Sequence, residues 1–206
     1  MSVITVSRQL GSHGMHIAEG VAARLSAVCV DKEVLAEMAQ REGVSVDVIV
    51  QAEKQLISRP VLVSEEMKSL FAAQARKQGG LGDVNSFVTQ LGAAIRALAD
   101  QDNVVFVGRG TQLLLADYPQ ALHVRLYAPL EVRAARIQQS RGLSSQEMAL
   151  QVVRQADEQR NDWFRHFFHG ISWKDARHYH LMINTVRIPQ EVAVDIIVQA
   201  AQPTAG

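Results

Sequence analysis

A glycine-containing turn near the start of the chain has the residue types and spacing of an anion site. It lies within VSRQLGSHGMHIAEGVAARL, residues 6–25, where a short β-branched run gives way to apolar residues at helical spacing. In a strand–turn–helix unit, backbone N–H groups and the positive end of the helix dipole point at the same place. Gly11 and Gly14 let a phosphate approach the backbone closely, and Ser12 offers a hydroxyl donor. The turn predicts phosphate binding, with a plain strand-to-helix turn as the alternative.

The position that usually carries a cation in such a loop holds a methionine. In the pattern GxxxxGK[ST], the lysine reaches the outer phosphates and the Ser or Thr binds magnesium. With Gly14 as the second glycine, Gln9 stands for the first, Met15 for the lysine and His16 for the Ser or Thr. Losing one preorganised donor costs ~2.7–4 kcal/mol in a transition state, whereas one charged hydrogen bond is worth about 1.5–3 kcal/mol. The sequence therefore predicts a larger defect in catalysis than in binding.

Basic side chains near the turn are candidates to replace the missing charge. Arg8, directly after the first apolar run, is placed to supply a guanidinium from the other side of the loop. His13 and His16 carry a charge only when protonated, and an unperturbed histidine is mostly neutral at pH 7. Arg8 is the predicted substitute cation.

Further polar residues follow the other predicted strands. Five short apolar runs have strand character: residues 3–6, 27–30, 104–107, 122–128 and 181–183. They alternate with longer stretches of helical spacing, which favours a parallel sheet covered by helices on both faces. Ligands in such folds sit beyond the carboxyl ends of the strands. That rule singles out Ser7, Arg8, Asp31, Gly108, Arg109, Asn184 and Thr185.

Two longer segments are predicted to be helical. Residues from about 34 to 100 contain VLAEMAQ, VSEEMKSLFAAQARK and VTQLGAAIRALA, and they predict a helical insertion over one side of the sheet. A later helix, over residues 145–168, is opened by Ser144 with Glu147 three residues on, which is a capping-box pattern. Charged residues at three-residue spacing favour an exposed ladder of salt bridges on these late helices: Arg133, Arg136, Arg154, Asp157 and Arg160.

The composition bounds the class of protein. Of 206 residues, 48% are apolar and 20% charged, with 21 Lys and Arg against 21 Asp and Glu. This balance gives no global basic field and predicts no nucleic-acid partner. No apolar run approaches the length of a membrane span, so no membrane partner is predicted. The single cysteine, Cys29, excludes an intramolecular disulfide and predicts a soluble cytoplasmic protein.

The segment WFRHFFHGISWKDARHYH combines histidines with aromatic residues. Its histidines could imitate a metal cluster, but their spacing matches no standard zinc pattern. Aromatic packing under a lid or at a subunit contact is the favoured interpretation, and no protein-held metal is predicted. The sequence leaves the oligomeric state open, with a homodimer as one option.

Five blocks of the chain resemble the cytidylate kinase-like proteins, a branch of the nucleoside monophosphate kinases within the P-loop superfamily. They are ITVSRQLGSHGMHIAE, VDKEVL, VVFVGRGTQLLL, HVRLYAPLEVRAARI and YHLMINTVRIPQEVAVDII, in the expected order over nearly the whole chain. The resemblance implies a three-layer α/β P-loop kinase fold with five parallel strands. It also implies one domain over residues 1–206, with its core in 1–33 and 101–206, a nucleoside-monophosphate-binding helical insertion at about 34–100 and an arginine-bearing lid at about 140–170.

The resemblance also implies roles for individual residues. Arg109 stands where the family's Gly-Arg-Asp places an arginine on the acceptor monophosphate, although Gly110 replaces the aspartate; an arginine paired with a surface carboxylate is the alternative. Asp31 stands where the family has an aspartate near the acceptor and the metal-bound phosphates, and a helix N-cap is its plain alternative. The lid resemblance makes Arg154 and Arg160 clamps on the transferring phosphoryl group.

The function implied is transfer of the γ-phosphoryl of ATP to a nucleoside monophosphate, CMP or dCMP, with Mg²⁺. The residues expected at the nucleotide phosphates are Gly11, Ser12, His13, Gly14, Met15 and His16, with Arg8, Asp31, Arg154 and Arg160 as catalytic residues. Because the loop lacks its usual cation, a catalytically weak nucleotide-binding regulator is the alternative. A third reading keeps the kinase fold with another small phosphate acceptor.

Overall fold

A computed structural model describes residues 2–31, 84–101 and 103–202 of the chain. Within them, one five-stranded parallel sheet has the order β2–β3–β1–β4–β5. The strands are β1 (Val3–Arg8), β2 (Val28–Val30), β3 (Val104–Val107), β4 (Ala121–Tyr127) and β5 (Leu181–Asn184). All five apolar runs are therefore confirmed as strands, with ends that differ from the predicted ones by at most two residues.

Helices connect the strands and cover both faces of the sheet. They are α1 (Gly14–Leu25), α2 (Val84–Asp100), α3 (Thr111–Leu114), α4 (Leu130–Arg141), α5 (Gln146–Phe167) and α6 (Gln190–Ala200). The segment VTQLGAAIRALA of the predicted insertion lies in α2, as its helical spacing predicts. The part of that insertion before residue 84 lies outside the described residues.

Side chains of the central strands β1 and β3 enter two separate cores on opposite faces of the sheet. On β1, Val3 packs with α2, α5 and the late aromatic residues, whereas Ile4 and Val6 pack with α1 and α6. On β3 the same alternation divides Phe106 from Val105. Strands buried on both faces read as continuous β-branched runs, which is why the sequence marks them so clearly.

The aromatic segment contributes to the first of these cores. Five of its rings are buried together against α2 and β3: Trp163, Phe164, Phe167, Phe168 and Trp173. These aromatic residues are therefore packed in a core, and their predicted place under a lid or at a subunit contact stays a prediction. Among the residues that the structure describes, no group of three or more His, Cys, Asp or Glu side chains is arranged to hold a metal ion.

The start of α5 differs by one residue from the prediction. Ser145, in extended conformation, is the N-cap, and its hydroxyl accepts the N–H of Met148 at 3.2 Å. The hydroxyl of Ser144 instead contacts the Met148 sulfur at 3.2 Å. The predicted capping box that begins at Ser144 is therefore wrong, because the hydroxyl that satisfies an N–H group in the first turn of α5 is that of Ser145.

None of the helices in the described part of the chain has both the length and the apolar character needed to cross a bilayer.

His123 gives the fold a testable pH dependence. Its Nδ1 lies 2.9 Å from the Thr5 hydroxyl, and burial together with the neighbouring His180 lowers the pKa of His123 to about 4. An unfolded histidine titrates near its ordinary pKa of about 6.5, so the unfolded chain binds more protons between those two values. We expect the free energy of unfolding to be highest above pH 6.5 and to fall as the pH drops toward 4, by up to about 3 kcal/mol.

Urea unfolding at a series of pH values from 7.5 to 4.5 measures this dependence. A His123→Asn variant should lose most of the slope, whereas His169→Asn, at an exposed position, should keep it. An unchanged slope in His123→Asn would assign the acid instability to other groups.

Candidate active site

A cleft of about 700 Å³ opens at the carboxyl ends of β1 and β3. Its walls come from the loops after these two strands and from α1, α4 and α5. The residues that line it include eight predicted from the sequence: Arg8, Gly11, His13, Gly14, Met15, His16, Arg109 and Arg160. The structure thus gathers most of the predicted site at the edge of the sheet where parallel topology places ligands.

The loop after β1 is held in shape by Gln9 and Ser12. The backbone carbonyl of Gln9 accepts the Ser12 N–H at 3.1 Å and the Ser12 hydroxyl at 2.7 Å. The Gln9 side-chain oxygen accepts the N–H of Ala128, after β4, at 3.2 Å. Ser12 is fully buried and does not line the cleft, so its expected role as a phosphate donor is corrected: it closes the loop.

Gly11 lets the loop pack against the first turn of α4. It has φ +81, and a Cβ built on it would lie 2.6 Å from the carbonyl oxygen of Arg133. Arg136, one turn later, donates to the Gly11 carbonyl at 3.2 Å and to the Thr185 carbonyl at 2.9 Å. Helix α4 therefore fixes the loop from behind, together with the segment after β5.

Gly14, the first residue of α1, makes room for Arg8. A Cβ on Gly14 would lie 2.5 Å from the Cβ of Arg8 and 3.1 Å from its Cδ. The aliphatic stem of Arg8 therefore crosses the N-terminus of α1. The N–H groups of Gly14, Met15 and His16 precede the first bond of this helix, which Ile17 donates to His13 at 3.1 Å. A guanidinium and a helix N-terminus thus border the same part of the cleft.

Met15 and His16 do not provide the usual cation and magnesium ligand of such a loop. Met15 is partly buried against the α1–α6 core and carries no charge. The side chain of His16 is 74% exposed and lies 3.5 Å from Glu19. His13 precedes the helix with φ 57, and burial together with Arg136 lowers its pKa, so it is neutral at pH 7.

Arg109 enters the cleft from a left-handed turn after β3. Gly108, Arg109 and Gly110 have φ values of 85, 62 and 71. A ring atom of Phe168 lies 2.4 Å from where a Cβ on Gly110 would stand, so no side chain fits there. The guanidinium of Arg109 lies 5.0 Å from the centroid of the Trp163 ring, a cation–π distance that fixes its direction.

Arg160 enters the cleft from α5. Its guanidinium carbon lies 4.8 Å from the centroid of the Trp173 ring, and its Nη1 lies 3.8 Å from Asp157 Oδ1. Nη1 is buried and has no hydrogen-bond partner in the described part of the chain. Arg160 is therefore held by longer-range contacts than a paired arginine usually has.

The charge of Arg8 repels the charges of Arg109 and Arg160 at the cleft. Burial, followed by the charge of Arg8, lowers the pKa of both Arg109 and Arg160 to about 10. Burial also lowers the pKa of Arg8, and Asp31 opposes that change. All three guanidiniums remain charged at neutral pH, so they bring positive charge to the same cleft.

Arg133 and Asp157 form a buried pair that sequence spacing did not reveal. Their side chains are 4% and 15% exposed and meet through two hydrogen bonds, at 2.9 Å and 3.3 Å. Arg133 also donates to the carbonyls of Ala128 at 3.0 Å and Leu10 at 3.4 Å. The predicted exposed ladder is wrong for Arg133, because this face of α4 packs against α5 and the loop.

Trp173 is a second residue that sequence reasoning missed. It is 1% exposed, and its indole N–H donates to Asn161 at 2.7 Å. Its carbonyl accepts Arg125 at 2.7 Å and the Tyr179 hydroxyl at 2.5 Å. The ring contacts the guanidinium of Arg125 at 4.7 Å as well as that of Arg160. No sequence motif marks this position, since a tryptophan in an aromatic segment signals only burial.

Two other predicted residues lie at different distances from the cleft. Asp31 directly follows β2, close enough for its charge to act on both Arg8 and Arg109. Arg154 is exposed on α5 and does not line the cleft.

Burial raises the pKa of the Cys29 thiol to about 11, which leaves it protonated and unreactive.

The donor chemistry favours Asp31 over His16 for Mg²⁺. This ion prefers oxygen ligands and usually takes one or two carboxylates together with substrate phosphates. Asp31 offers such oxygens beside the arginines that face the cleft, whereas His16 offers an exposed imidazole. The residues present fit a magnesium ion carried mainly by substrate phosphates.

Solved structures with similar folds include two kinases and an uncharacterized protein. The uncharacterized protein from Eubacterium ventriosum ATCC 27560 is 20% identical, with 97% of both chains covered and a TM-score of 0.69. A sugar kinase from Janibacter sp. HTCC2649 is 13% identical, with 97% of this chain and 93% of that chain covered and a TM-score of 0.52. Shikimate kinase from Bacteroides thetaiotaomicron is 12% identical, with 97% and 98% covered and a TM-score of 0.50. The fold is that of the P-loop kinases.

The chain belongs to the cytidylate kinase-like family, whose model matches residues 3–187. The resemblance drawn from the sequence blocks is thereby confirmed. No curated protein shows a significant match to the chain. Family and fold together support a nucleotide kinase-like phosphotransferase.

The contact between Gly14 and Arg8 can be tested with a matched pair of helical glycines. Gly14→Ala places a methyl group against the Arg8 stem and should lower the free energy of unfolding by about 1–3 kcal/mol. Gly92→Ala, in α2, places its methyl 3.7 Å from Leu114, an ordinary contact, and should raise it by about 0.5–1 kcal/mol. Urea unfolding of both variants measures the difference. Equal stabilisation by the two substitutions would show that Arg8 does not occupy the space above Gly14.

Proposed function

We propose that the chain transfers the γ-phosphoryl group of ATP to a nucleoside monophosphate, with CMP or dCMP as the acceptor. An acceptor phosphate oxygen attacks the γ-phosphorus, the bond to the β,γ-bridging oxygen breaks, and the products are ADP and a nucleoside diphosphate. The observation that carries the proposal is the convergence of Arg8, Arg109 and Arg160 on one glycine-turn cleft. Phosphoryl transfer needs positioning and charge stabilisation more than covalent chemistry, and three fixed guanidiniums supply both.

The triphosphate occupies the start of α1 in this proposal. The N–H groups of Gly14, Met15 and His16 and the helix dipole hold its outer phosphates, and Gly11 and His13 line the approach. Arg8 supplies the cation that Met15 lacks, since its stem already crosses this helix terminus. A guanidinium also stays charged when buried, which suits it to a cleft with little water.

Arg109 binds the acceptor phosphate and Arg160 stabilises the transferring group. Arg109 is directed by its left-handed backbone and by the Trp163 ring, which suits a fork that must meet a phosphate in one orientation. Arg160 approaches from α5, across the cleft from the loop, where charge on the γ-phosphoryl oxygens must be met. Arg154, on the same helix, is proposed as a further clamp of the lid.

Asp31 is the residue proposed to hold Mg²⁺, through water or directly. When bound, the ion neutralises charge between the β- and γ-phosphates. Asp31 also balances Arg8 and Arg109, so its carboxylate keeps the two guanidiniums near each other before any nucleotide arrives.

A nucleotide-binding regulator is the second candidate function. It is favoured by Met15, which packs into the core where a P-loop kinase usually carries its lysine. Calorimetry with ATP and with CMP, beside a coupled assay for ADP release, separates the two. Binding with turnover supports the kinase, and binding of both nucleotides without turnover supports the regulator.

Arg109→Ala should weaken CMP binding much more than ATP binding. One charged hydrogen-bonding partner is worth about 1.5–3 kcal/mol, so the dissociation constant for CMP should rise by roughly 10- to 100-fold. Arg24→Ala is the matched control, because Arg24 is half exposed and pairs with Asp195 on α6, away from the cleft. Calorimetric titration of both variants provides the measurement. Equal losses for ATP and CMP in Arg109→Ala would remove Arg109 from the acceptor side.

Substitutions at Arg8 and Met15 test whether Arg8 serves as the cation of the loop after β1. Arg8→Ala should lower turnover by ~100- to 1000-fold with a smaller effect on ATP affinity. Adding Met15→Lys to Arg8→Ala should recover part of that turnover, because the space near Gly14 is then open for a lysine. Met182→Lys, at an exposed position on β5, is the control for adding a positive charge. If Arg8→Ala keeps native turnover, Arg8 is not the substitute cation.

A further inference from the structure

The carboxylate of Asp157 is shared by two arginines with different geometry. Arg133 holds it through two hydrogen bonds, at 2.9 Å and 3.3 Å, from the neighbouring helix α4. Arg160, one turn along α5, approaches the same Oδ1 only to 3.8 Å. Asp157 is thus fixed by Arg133, and Arg160 is oriented by a carboxylate that is already in place.

Arg133 contacts both this shared carboxylate and the loop after β1. Its Nη1 donates to the Leu10 carbonyl at 3.4 Å, and its backbone carbonyl faces the space where Gly11 lacks a side chain. Arg133 therefore contacts both the loop and Asp157. Its contacts with the loop are to backbone groups, its contact with Asp157 is an ion pair, and its own side chain is almost fully buried.

Among the described residues, few other groups contact the Arg160 guanidinium. Its guanidinium stacks near the Trp173 ring, on which Arg125 also rests, and the charges of Arg8 and Arg125 repel it. Its Nη1 has no hydrogen-bond partner among the described residues. Within the described part of the chain, Asp157 is the carboxylate that lies within 4 Å of the Arg160 guanidinium.

We propose that Asp157 is a positioning residue: fixed by Arg133 against the phosphate loop, it orients Arg160 toward a phosphate bound in the cleft. This rests on the proposed function for the identity of the substrate, but the orientation of Arg160 holds for any phosphate ligand. Asp157 itself does not touch the ligand. Its negative charge opposes anion binding, so its contribution to binding comes through the orientation of the Arg160 guanidinium.

A double-mutant cycle on pyrophosphate binding tests this role without requiring catalysis. Calorimetry is performed with the native chain, Asp157→Asn, Arg160→Ala and the double variant. In the native background, Arg160→Ala should weaken pyrophosphate binding by about 10-fold. In the Asp157→Asn background, the same substitution should weaken it by less than about 2-fold, because Arg160 is no longer oriented. Asp157→Glu keeps the charge and should restore part of the coupling.

Each outcome decides the proposal. If Arg160→Ala costs the same factor in both backgrounds, Asp157 acts only through its charge on the cleft and the positioning role is overturned. If Asp157→Asn leaves Arg133 uncompensated and fails to fold, the cycle is repeated with Asp157→Glu in its place, where Arg160→Ala should weaken pyrophosphate binding by a factor between the native one and about 2-fold. Turnover of ATP and CMP by the native chain is assayed separately. Its absence would remove the proposed function while leaving the pyrophosphate cycle interpretable.

Discussion

The burial of three guanidinium groups around one cleft, where Arg8 repels the other two, is the constraint on which this site depends. Arg8, Arg109 and Arg160 come from β1, the turn after β3 and α5, and each lowers its pKa on entering the cleft. Two carboxylates, Asp31 and Asp157, offset part of the repulsion from opposite sides. Among the described residues, these three guanidiniums outnumber the two carboxylates, and a phosphate or polyphosphate would offset the difference.

Two hydrophobic cores, two indole rings and helix α4 hold these like charges in place. Two hydrophobic cores, one on each face of the sheet, fix the carboxyl ends of β1 and β3 side by side. Indole rings then direct the cations: Trp163 faces Arg109, and Trp173 faces Arg160. Helix α4 packs against the loop after β1, and its residues Arg133 and Arg136 both donate hydrogen bonds to carbonyl groups of that loop. Stability in the cores offsets strain and repulsion at the site.

Much of this fold could be predicted from the sequence, and the limits have physical causes. The strands are buried on both faces, so their β-branched runs stand out, and the loop after β1 is marked by Gly11 and Gly14. The contact between Gly14 and the Arg8 stem is not predictable from the sequence, because the approach of these two residues depends on the turn between them. The spacing of Arg133 predicts an exposed ladder, since three-residue spacing shows which residues share a face but not what that face contacts.

Other features of the site depend on tertiary contacts that no local pattern encodes. Ser12 has the residue type of a phosphate donor, yet its hydroxyl closes the loop on Gln9. Trp173 lies far along the chain from Arg125 and meets it only when β4 and the segment before β5 pack together. The sequence therefore predicted three cations that line one cleft, whereas the groups that contact those cations required the structure.

The claim that the cleft is built for a phosphate anion is tested most directly by thermal unfolding at constant ionic strength, with chloride replaced stepwise by pyrophosphate. The unfolding midpoint should rise with pyrophosphate concentration, and the stabilisation should reach about 2.7 kcal/mol at one hundred times the dissociation constant. The rise should disappear when Arg109 and Arg160 are both replaced by alanine. A midpoint that does not respond to pyrophosphate, or that rises equally in the doubly substituted chain, would contradict the claim.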